Sequence, residues 1–136
     1  MSIPVELQNL ADTISRYRFA YLLTSSGDGA PHAVAVNPDL QDGELVVGGL
    51  GRRTRANVGI RPAVALVWPP REETDYSLIV DGLAVVDGEG TRIRVTRAVL
   101  HRPAPAGGAE ADDAGNAAGA AAGGCGADCV EIVPVR

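Results

Sequence analysis

The pattern of apolar and polar positions along the chain predicts a mainly β protein with two short helices. Residues 4–17 carry apolar side chains at helical spacing, which predicts an amphipathic helix with Pro4 in its first turn. Residues 51–60 predict a second, shorter helix after a group of glycines. Apolar, β-branched runs bounded by Gly, Pro, Asp and Ser predict strands. These runs cover 19–24, 31–37, 44–48, 63–68, 76–86 and 91–100.

The order of these elements predicts the type of sheet. Asp42-Gly43 and the sequence DGEG at 87–90 are turn signals that join consecutive strands as hairpins, and only short helices lie between strands. Such a chain of hairpins is typical of an antiparallel barrel or sandwich and not of a parallel sheet with crossover helices.

The last quarter of the chain differs in composition from the rest. Residues 103–124 are almost wholly Ala, Gly, Pro and acidic residues, with no large apolar side chain to offset the entropy of ordering. The sequence CVEIVPV at 129–135 then predicts a final strand. We therefore expect one domain made of residues 1–102 with 129–136, interrupted by a flexible Ala/Gly-rich insertion at 103–128.

Charge adds a candidate site to this outline. The protein has a formal net charge of -5, yet residues 45–71 contain five arginines and no acidic residue. Glycines, then guanidinium groups, then the start of a helix form a sequence that suits a phosphate or another anion. The alternative interpretation is a solvated helix face with surface ion pairs, and both interpretations stay open at this point.

Several classes of function are not expected. The acidic charge balance argues against nucleic acid as the main partner, and no apolar run is long enough to cross a membrane. The N-terminus shows no signal-peptide core, so we expect a cytoplasmic protein. Cys125 and Cys129 are too few to form a metal site with the distant His101, and no metal is predicted, although a reversible disulfide stays open.

The segments at 19–49, 51–70 and 76–87 resemble the pyridoxamine 5'-phosphate oxidase-like family, whose superfamily includes flavin and deazaflavin oxidoreductases. The resemblance covers residues 5–102 and rests on the order of a strand with G-x-P before it, a hairpin, a Gly/Arg turn, a helix ending in R-P, and a strand ending in W-P-P. It implies an antiparallel split β-barrel of the FMN-binding type. It also implies a homodimer that binds FMN at its interface and acts on a small-molecule substrate.

Carried over position by position, the resemblance implies which residues contact the cofactor. The ring would lie beside one strand and a glycine pair, the phosphate would lie at the Arg-rich turn, and the start of the helix would lie behind it. Trp68, at the end of a strand before Pro-Pro, is a further candidate that either stacks near the flavin or packs at an interface. The residues implied are His32, Val34, Asn37, Gly48, Gly49, Arg52, Arg53, Thr54, Arg55, Asn57 and Trp68. No catalytic side chain is assigned, because the flavin itself carries such chemistry.

Two departures from the family pattern leave other functions open. Asn37 and Thr54 stand where basic residues are common, and the C-terminal section that holds the substrate in the oxidase is replaced by the Ala/Gly-rich segment. The leading hypothesis is an FMN-dependent oxidoreductase that transfers hydride. The alternatives are a deazaflavin (F420)-dependent reductase on the same fold and a non-enzymatic protein that binds flavin or haem.

Overall fold

The computed structural model describes residues 1–104, of which Ser2–Arg102 form one compact unit. Within these residues the chain is mainly antiparallel sheet with two helices, as the apolar pattern predicts. The helices are α1 (Leu7–Ile14) and α2 (Arg52–Ile60). The strands are β1 (Ser2–Pro4), β2 (Ala20–Ser25), β3 (Pro31–Val36), β4 (Asp39–Gln41), β5 (Glu44–Val47), β6 (Ala63–Trp68), β7 (Ser77–Asp87) and β8 (Gly90–His101).

One continuous sheet contains the described strands. Its order is β3-β2-β6-β7-β8-β5-β4, with β1 paired to β8, and each pairing is antiparallel. Strands β3 and β4 therefore lie at the two ends of the path, although only Asn37 and Pro38 separate them in the chain. The sheet curves so that the end of β3 comes near the segment that follows β5, and both line one cleft.

Alternation along the strands explains where the core lies. Along β2, Ala20, Leu22 and Thr24 are buried and the residues between them are exposed, because successive side chains of a strand point to opposite faces. Leu22, Leu66, Leu78 and Ile93 are fully buried and form the centre of the core. Burial of each such side chain contributes about 1.5–3 kcal/mol. Helix α1 adds Leu10, which is also fully buried.

The predicted N-terminal helix is wrong in its first turn. Pro4 lies in β1 opposite Val99, and the amide of Val5 continues the pairing with a 2.9 Å hydrogen bond to the carbonyl of Ala98. A proline is tolerated there because β1 pairs with one neighbour only. The helix starts at Leu7, after Glu6 as N-cap. Strand pairing at the sheet edge thus replaces a helical turn that the apolar spacing alone favours.

The short strand β4 is missing from the sequence prediction. It has one apolar residue, Leu40, which pairs with Leu45 across the Asp42-Gly43 turn. Both turn residues have positive φ, 52° and 80°, as this tight hairpin requires. Three residues with a single apolar side chain give too little alternation to predict a strand.

A close approach of two strands fixes the segment after β5. A Cβ added to Gly90 would lie 2.1 Å from the carbonyl oxygen of Val47 and 2.9 Å from the Cα of Gly48. Only glycine allows this approach at the start of β8. The amide of Leu50 donates a 2.7 Å hydrogen bond to the carbonyl of Glu89, which secures the same segment two residues further on.

Some predictions concern residues outside the described part of the chain. These are the flexible insertion at 103–128, of which only residues 103 and 104 are described, the returning strand at 129–136, and both cysteines, Cys125 and Cys129. Among residues 1–104, neither helix has the length and apolar character needed to cross a bilayer.

Candidate functional site

An open cleft of about 330 Å³ lies between the end of β3 and the segment that joins β5 to α2. The two walls are short stretches of chain, one on each side of the β4–β5 hairpin in the sequence. The cleft is lined by Val34, Ala35, Val36, Asn37, Gly48, Gly49, Leu50 and Gly51. Most of the wall at 48–51 is backbone, because three of those four residues are glycines.

The glycine wall leaves room for a bound molecule to approach the main chain. A Cβ added at Gly48, Gly49 or Gly51 would meet no other atom within 4 Å. Their lack of side chains is therefore not required by packing within the described chain. At Gly49 a second reason applies, since its φ of 65° lies in the left-handed region.

Helix α2 begins at the edge of this cleft. Gly51 is its N-cap and has no side chain to satisfy the first amide groups, and the first turn contains no acidic residue. The first helical hydrogen bond runs from the amide of Arg55 to the carbonyl of Gly51, over 3.1 Å. The amides before it lack helical partners, and together with the helix dipole they make this end attractive to an anion.

Two exposed arginines stand in the first turn of α2. Arg52 and Arg53 take part in no hydrogen bond or ion pair within residues 1–104. The interpretation of this helix as a face with surface ion pairs is therefore not supported in the described structure. Both guanidinium groups are available to a ligand that approaches the helix start.

Arg55, one turn into the helix, has an unusual environment. The residue is half-buried, and its Nε is shielded from solvent and has no hydrogen-bond partner among the described residues. A buried donor without a partner costs about 1–3 kcal/mol. An anion that accepts from this nitrogen would remove that cost.

Two other predicted contacts lie on the sheet-facing side of α2. Thr54 is 2% exposed and Asn57 is 5% exposed. The Nδ2 of Asn57 donates a 3.0 Å hydrogen bond to the Oγ1 of Thr24 on β2. This bond ties the helix to the sheet, so Asn57 has a structural role in the described chain, and its cofactor contact stays a prediction.

The structure brings together only part of the predicted set. Val34, Asn37, Gly48 and Gly49 line the cleft, and the arginines of α2 start beside it. His32 lies nearer the other end of β3, opposite Thr24, and does not line the cleft. The Trp68 side chain is 2% exposed within the core, which does not favour the predicted stacking contact.

Four residues that line the cleft are outside the predicted set: Ala35, Val36, Leu50 and Gly51. Successive side chains of a strand point to opposite faces, so alternation along β3 does not place Ala35 beside Val34 and Val36. At an edge strand, however, the free backbone lies within reach of the cleft at consecutive positions. Gly51 could have been found from its place just before the Arg-rich helix, as an N-cap without a side chain.

The cleft itself is lined by uncharged residues. None of its eight lining residues is titratable. Among residues 1–104, no group of three or more His, Cys, Asp and Glu side chains is arranged to hold a metal ion. The arrangement can bind and orient an anion with a flat apolar portion, through amides, guanidinium groups and small side chains.

Comparison with known proteins gives the chain its relatives. It is 39% identical over 142 residues to the uncharacterized protein Mb0449c of Mycobacterium bovis and, equally, to the uncharacterized protein MT0457 of Mycobacterium tuberculosis. The alignments cover 93% of this chain and 93% of each relative. The chain belongs to the family of these two mycobacterial proteins. No family model matches the chain, and the resemblance to the pyridoxamine 5'-phosphate oxidase-like family stays a prediction.

Solved structures confirm the predicted fold. HupZ of Group A Streptococcus matches with a TM-score of 0.60 and 16% identity, over 72% of this chain and 95% of that one. A FAD-binding protein of Mesorhizobium loti matches with 0.58 and 13%, over 74% and 95%. The FAD binding protein of Mycobacterium smegmatis matches with 0.54 and 17%, over 75% and 100%. The described chain is therefore an antiparallel split β-barrel, a fold found in flavin-binding proteins.

Proposed function

We propose that this protein is an FMN-dependent oxidoreductase that binds the flavin phosphate at the start of α2 and works as a homodimer. The observation that carries the proposal is the N-terminus of α2, which has no side-chain cap and no acidic residue and opens beside a cleft walled by glycine backbone. A helix start of this kind is suited to a phosphate group.

The residues present fit such a cofactor. Arg52, Arg53 and the first amides of α2 would hold the phosphate, and the unpartnered Nε of Arg55 offers a further donor nearby in the chain. Charge-assisted bonds of this type contribute about 1.5–3 kcal/mol each. The stretch from Val34 to Asn37 and the pair Gly48-Gly49 would orient the ring system, since small side chains there leave space for a planar group.

The chemistry would come from the cofactor and the binding from the protein. A bound flavin supplies hydride transfer, while the surrounding protein anchors, orients and shields it. The cleft lining offers no acid or base, which agrees with this division of work. The FAD-binding proteins of Mesorhizobium loti and Mycobacterium smegmatis share the fold and support a flavin as the ligand class.

An exposed apolar face supports the homodimer. On the outer side of β2, β6 and β7, Leu23 lies opposite Ala65, and Ala63 lies opposite Leu83. A groove of about 400 Å³ runs along these residues. Tyr21 and Val85 extend the exposed apolar surface, at 42% and 67% exposure. We call this surface, Tyr21, Leu23, Ala63, Ala65, Leu83 and Val85, the outer sheet face.

The outer sheet face is continuous with the cleft, and this favours a second copy of the protein as the partner that covers the face. Tyr21 pairs in register with Ala35, and Ala35 also lines the cleft. A second copy seated on this face would therefore also cover the cleft from the open side. An open cleft of about 330 Å³ lies at the lower limit of small-molecule sites, about 300–1,000 Å³, so a second wall would complete it.

The test is a titration of the apoprotein with FMN, followed by flavin fluorescence, for the native chain and three variants. Arg53→Gln removes one charged donor and is expected to weaken FMN binding about tenfold. Gly48→Ala places a methyl group in the cleft and is expected to weaken binding as well. Gly59→Ala is the matched control, because Gly59 is exposed in the last turn of α2, away from the cleft lining, and an added Cβ there meets nothing within 4 Å.

Four results would contradict the proposal. FMN affinity unchanged in Arg53→Gln would remove the phosphate anchor, and equal losses in Gly48→Ala and Gly59→Ala would show that the cleft is not the site. Binding of F420 by a protein that does not bind FMN would establish the deazaflavin reductase alternative. Bound FMN that neither NADH nor NADPH reduces would favour a flavin-binding protein without enzymatic activity.

A further inference from the structure

A second pocket of about 240 Å³ lies where the end of α1 meets the β6–β7 connection and β8. It shares no lining residue with the cleft. Arg16 and Tyr17 come from the segment that follows α1, Arg71, Asp75 and Tyr76 from the β6–β7 connection, and Leu100 from β8. Three separate elements therefore build this pocket.

The charges around the pocket favour an anion. Arg71 is exposed and takes part in no hydrogen bond or ion pair within residues 1–104. Arg16 pairs only with Asp12, at 3.3 Å, and these side chains are 64% and 81% exposed. Such a surface pair contributes about 0–1 kcal/mol, so the guanidinium can turn to a ligand at little cost. Asp75 is the one acidic residue in the lining, against two arginines.

The apolar part of the pocket favours a flat molecule. Pro70 and Leu100 line it together with the rings of Tyr17 and Tyr76. The ring of Tyr76 already carries a cation on one side, since the Cζ of Arg102 lies 4.5 Å from its centroid. Rings bordered by guanidinium groups bind an aromatic acid well, because the ring packs on the tyrosines and the carboxylate meets the arginines.

The Tyr17 hydroxyl holds the pocket in shape. It donates a 2.9 Å hydrogen bond to the carbonyl of Tyr76, which joins α1 to the β6–β7 connection. Burial raises the pKa of Tyr17, and the Asp75 carboxylate raises it further against the opposing effect of Arg16. The hydroxyl therefore stays a neutral donor at physiological pH, and the pocket keeps its positive charge.

We propose that this pocket binds a small aromatic carboxylate, with Arg71 as the main anion contact and Tyr76 as the ring contact. A free phosphate fits less well, because apolar side chains and rings form much of the lining. This pocket shares no lining residue with the cleft, so the proposal of a carboxylate site can be tested separately from the proposed function. The pocket volume of about 240 Å³ suits a molecule with a single substituted ring.

The test uses benzoate as the probe and amide chemical shifts of the full-length, isotope-labelled protein as the readout. Benzoate is expected to shift the amide signals of Arg71, Tyr76 and Leu100 in a saturable way. Benzyl alcohol, which has the ring without the charge, and inorganic phosphate, which has the charge without the ring, are each expected to shift them less. Loss of one charge-assisted contact in Arg71→Gln is expected to weaken benzoate binding about tenfold.

Arg94→Gln is the matched control, because Arg94 is an exposed arginine on β8 outside this pocket. It is expected to leave benzoate affinity unchanged. Absence of saturable shifts, or equal losses in Arg71→Gln and Arg94→Gln, would overturn the proposal. So would benzoate shifts centred on residues 48–51, which would assign the ligand to the cleft, and so would equal binding of inorganic phosphate. FMN binding, measured separately, decides the proposed function whichever result is obtained here.

Discussion

The buried hydrogen bond between Asn57 and Thr24 gives the sharpest test of how α2 is placed on the sheet. The Nδ2 of Asn57 lies 3.0 Å from the Oγ1 of Thr24, and the two residues are 5% and 3% exposed. Asn57→Leu leaves the hydroxyl without its donor, and Thr24→Val leaves the amide without its acceptor. Each change is expected to lower the free energy of unfolding by about 1–3 kcal/mol.

The double variant separates the bond from other effects of the two substitutions. When both polar groups are removed, neither is left buried without a partner, so the total loss is expected to be smaller than the sum of the single losses. The coupling should be about 0.5–1.5 kcal/mol, the net contribution of one intramolecular hydrogen bond. Urea unfolding followed by the fluorescence of the single, buried Trp68 measures all four proteins under the same conditions.

Asn37 is the matched control, because it is an asparagine exposed in the cleft. Asn37→Ala is expected to change stability by less than about 0.5 kcal/mol, as for a surface substitution, and to weaken FMN binding more than Asn57→Leu does. The opposite outcome would refute the reasoning: an Asn57→Leu protein of native stability that no longer binds FMN. Asn57 would then be a cofactor contact and not an anchor of the helix.

Three further predictions test the interface, an ionisable group and the strand approach. If the protein is the proposed homodimer, Leu83→Arg on the outer sheet face is expected to give a monomer in light scattering. Leu7→Arg, at an exposed residue of α1 outside that face, is expected to leave the mass at that of a dimer, and an unchanged mass in Leu83→Arg would contradict the proposed interface. Because the pKa of Tyr17 is raised in the folded protein, the unfolded chain loses this proton first, near 10.0, and the free energy of unfolding should fall as the pH rises above that value. Tyr17→Phe should lose about 1 kcal/mol at every pH for the missing hydrogen bond, and its free energy of unfolding should fall less than that of the native protein between pH 9 and 11 in urea unfolding. An identical decline in both proteins would show that Tyr17 does not cause the pH dependence. Gly90→Ala should destabilise the fold by about 3 kcal/mol in a thermal melt, since its Cβ would overlap the carbonyl of Val47, and a native melting temperature would show that the strands do not approach this closely.

Six of the eight described strands and the second helix could be predicted because their signals are local. Strand β6 has the predicted bounds, and α2 begins one residue inside its predicted range, after Gly51. Both have a clear pattern of apolar residues or a clear start signal. The first turn of the predicted N-terminal helix failed because pairing of Pro4 with Val99, nearly a hundred residues away, decided its conformation. Helical spacing carries no information about such a partner.

The candidate site could be predicted only in part for a related reason. The glycines and arginines at 48–53 are adjacent in sequence, so their combination was visible as an anion site. The opposite wall, with Ala35, depends on β3 being an edge strand that meets the segment after β5. The burial of Asn57 depends on Thr24, and a resemblance that places residues in order along the chain does not show which side of a helix meets the sheet.

The most direct test of the proposed function is the visible absorption spectrum of the native protein after addition of FMN and passage through a desalting column. We predict that the protein retains about one flavin per subunit, because each chain carries one α2 N-terminus of the kind that binds phosphate. A colourless protein that retains no FMN would contradict the assignment of this cofactor.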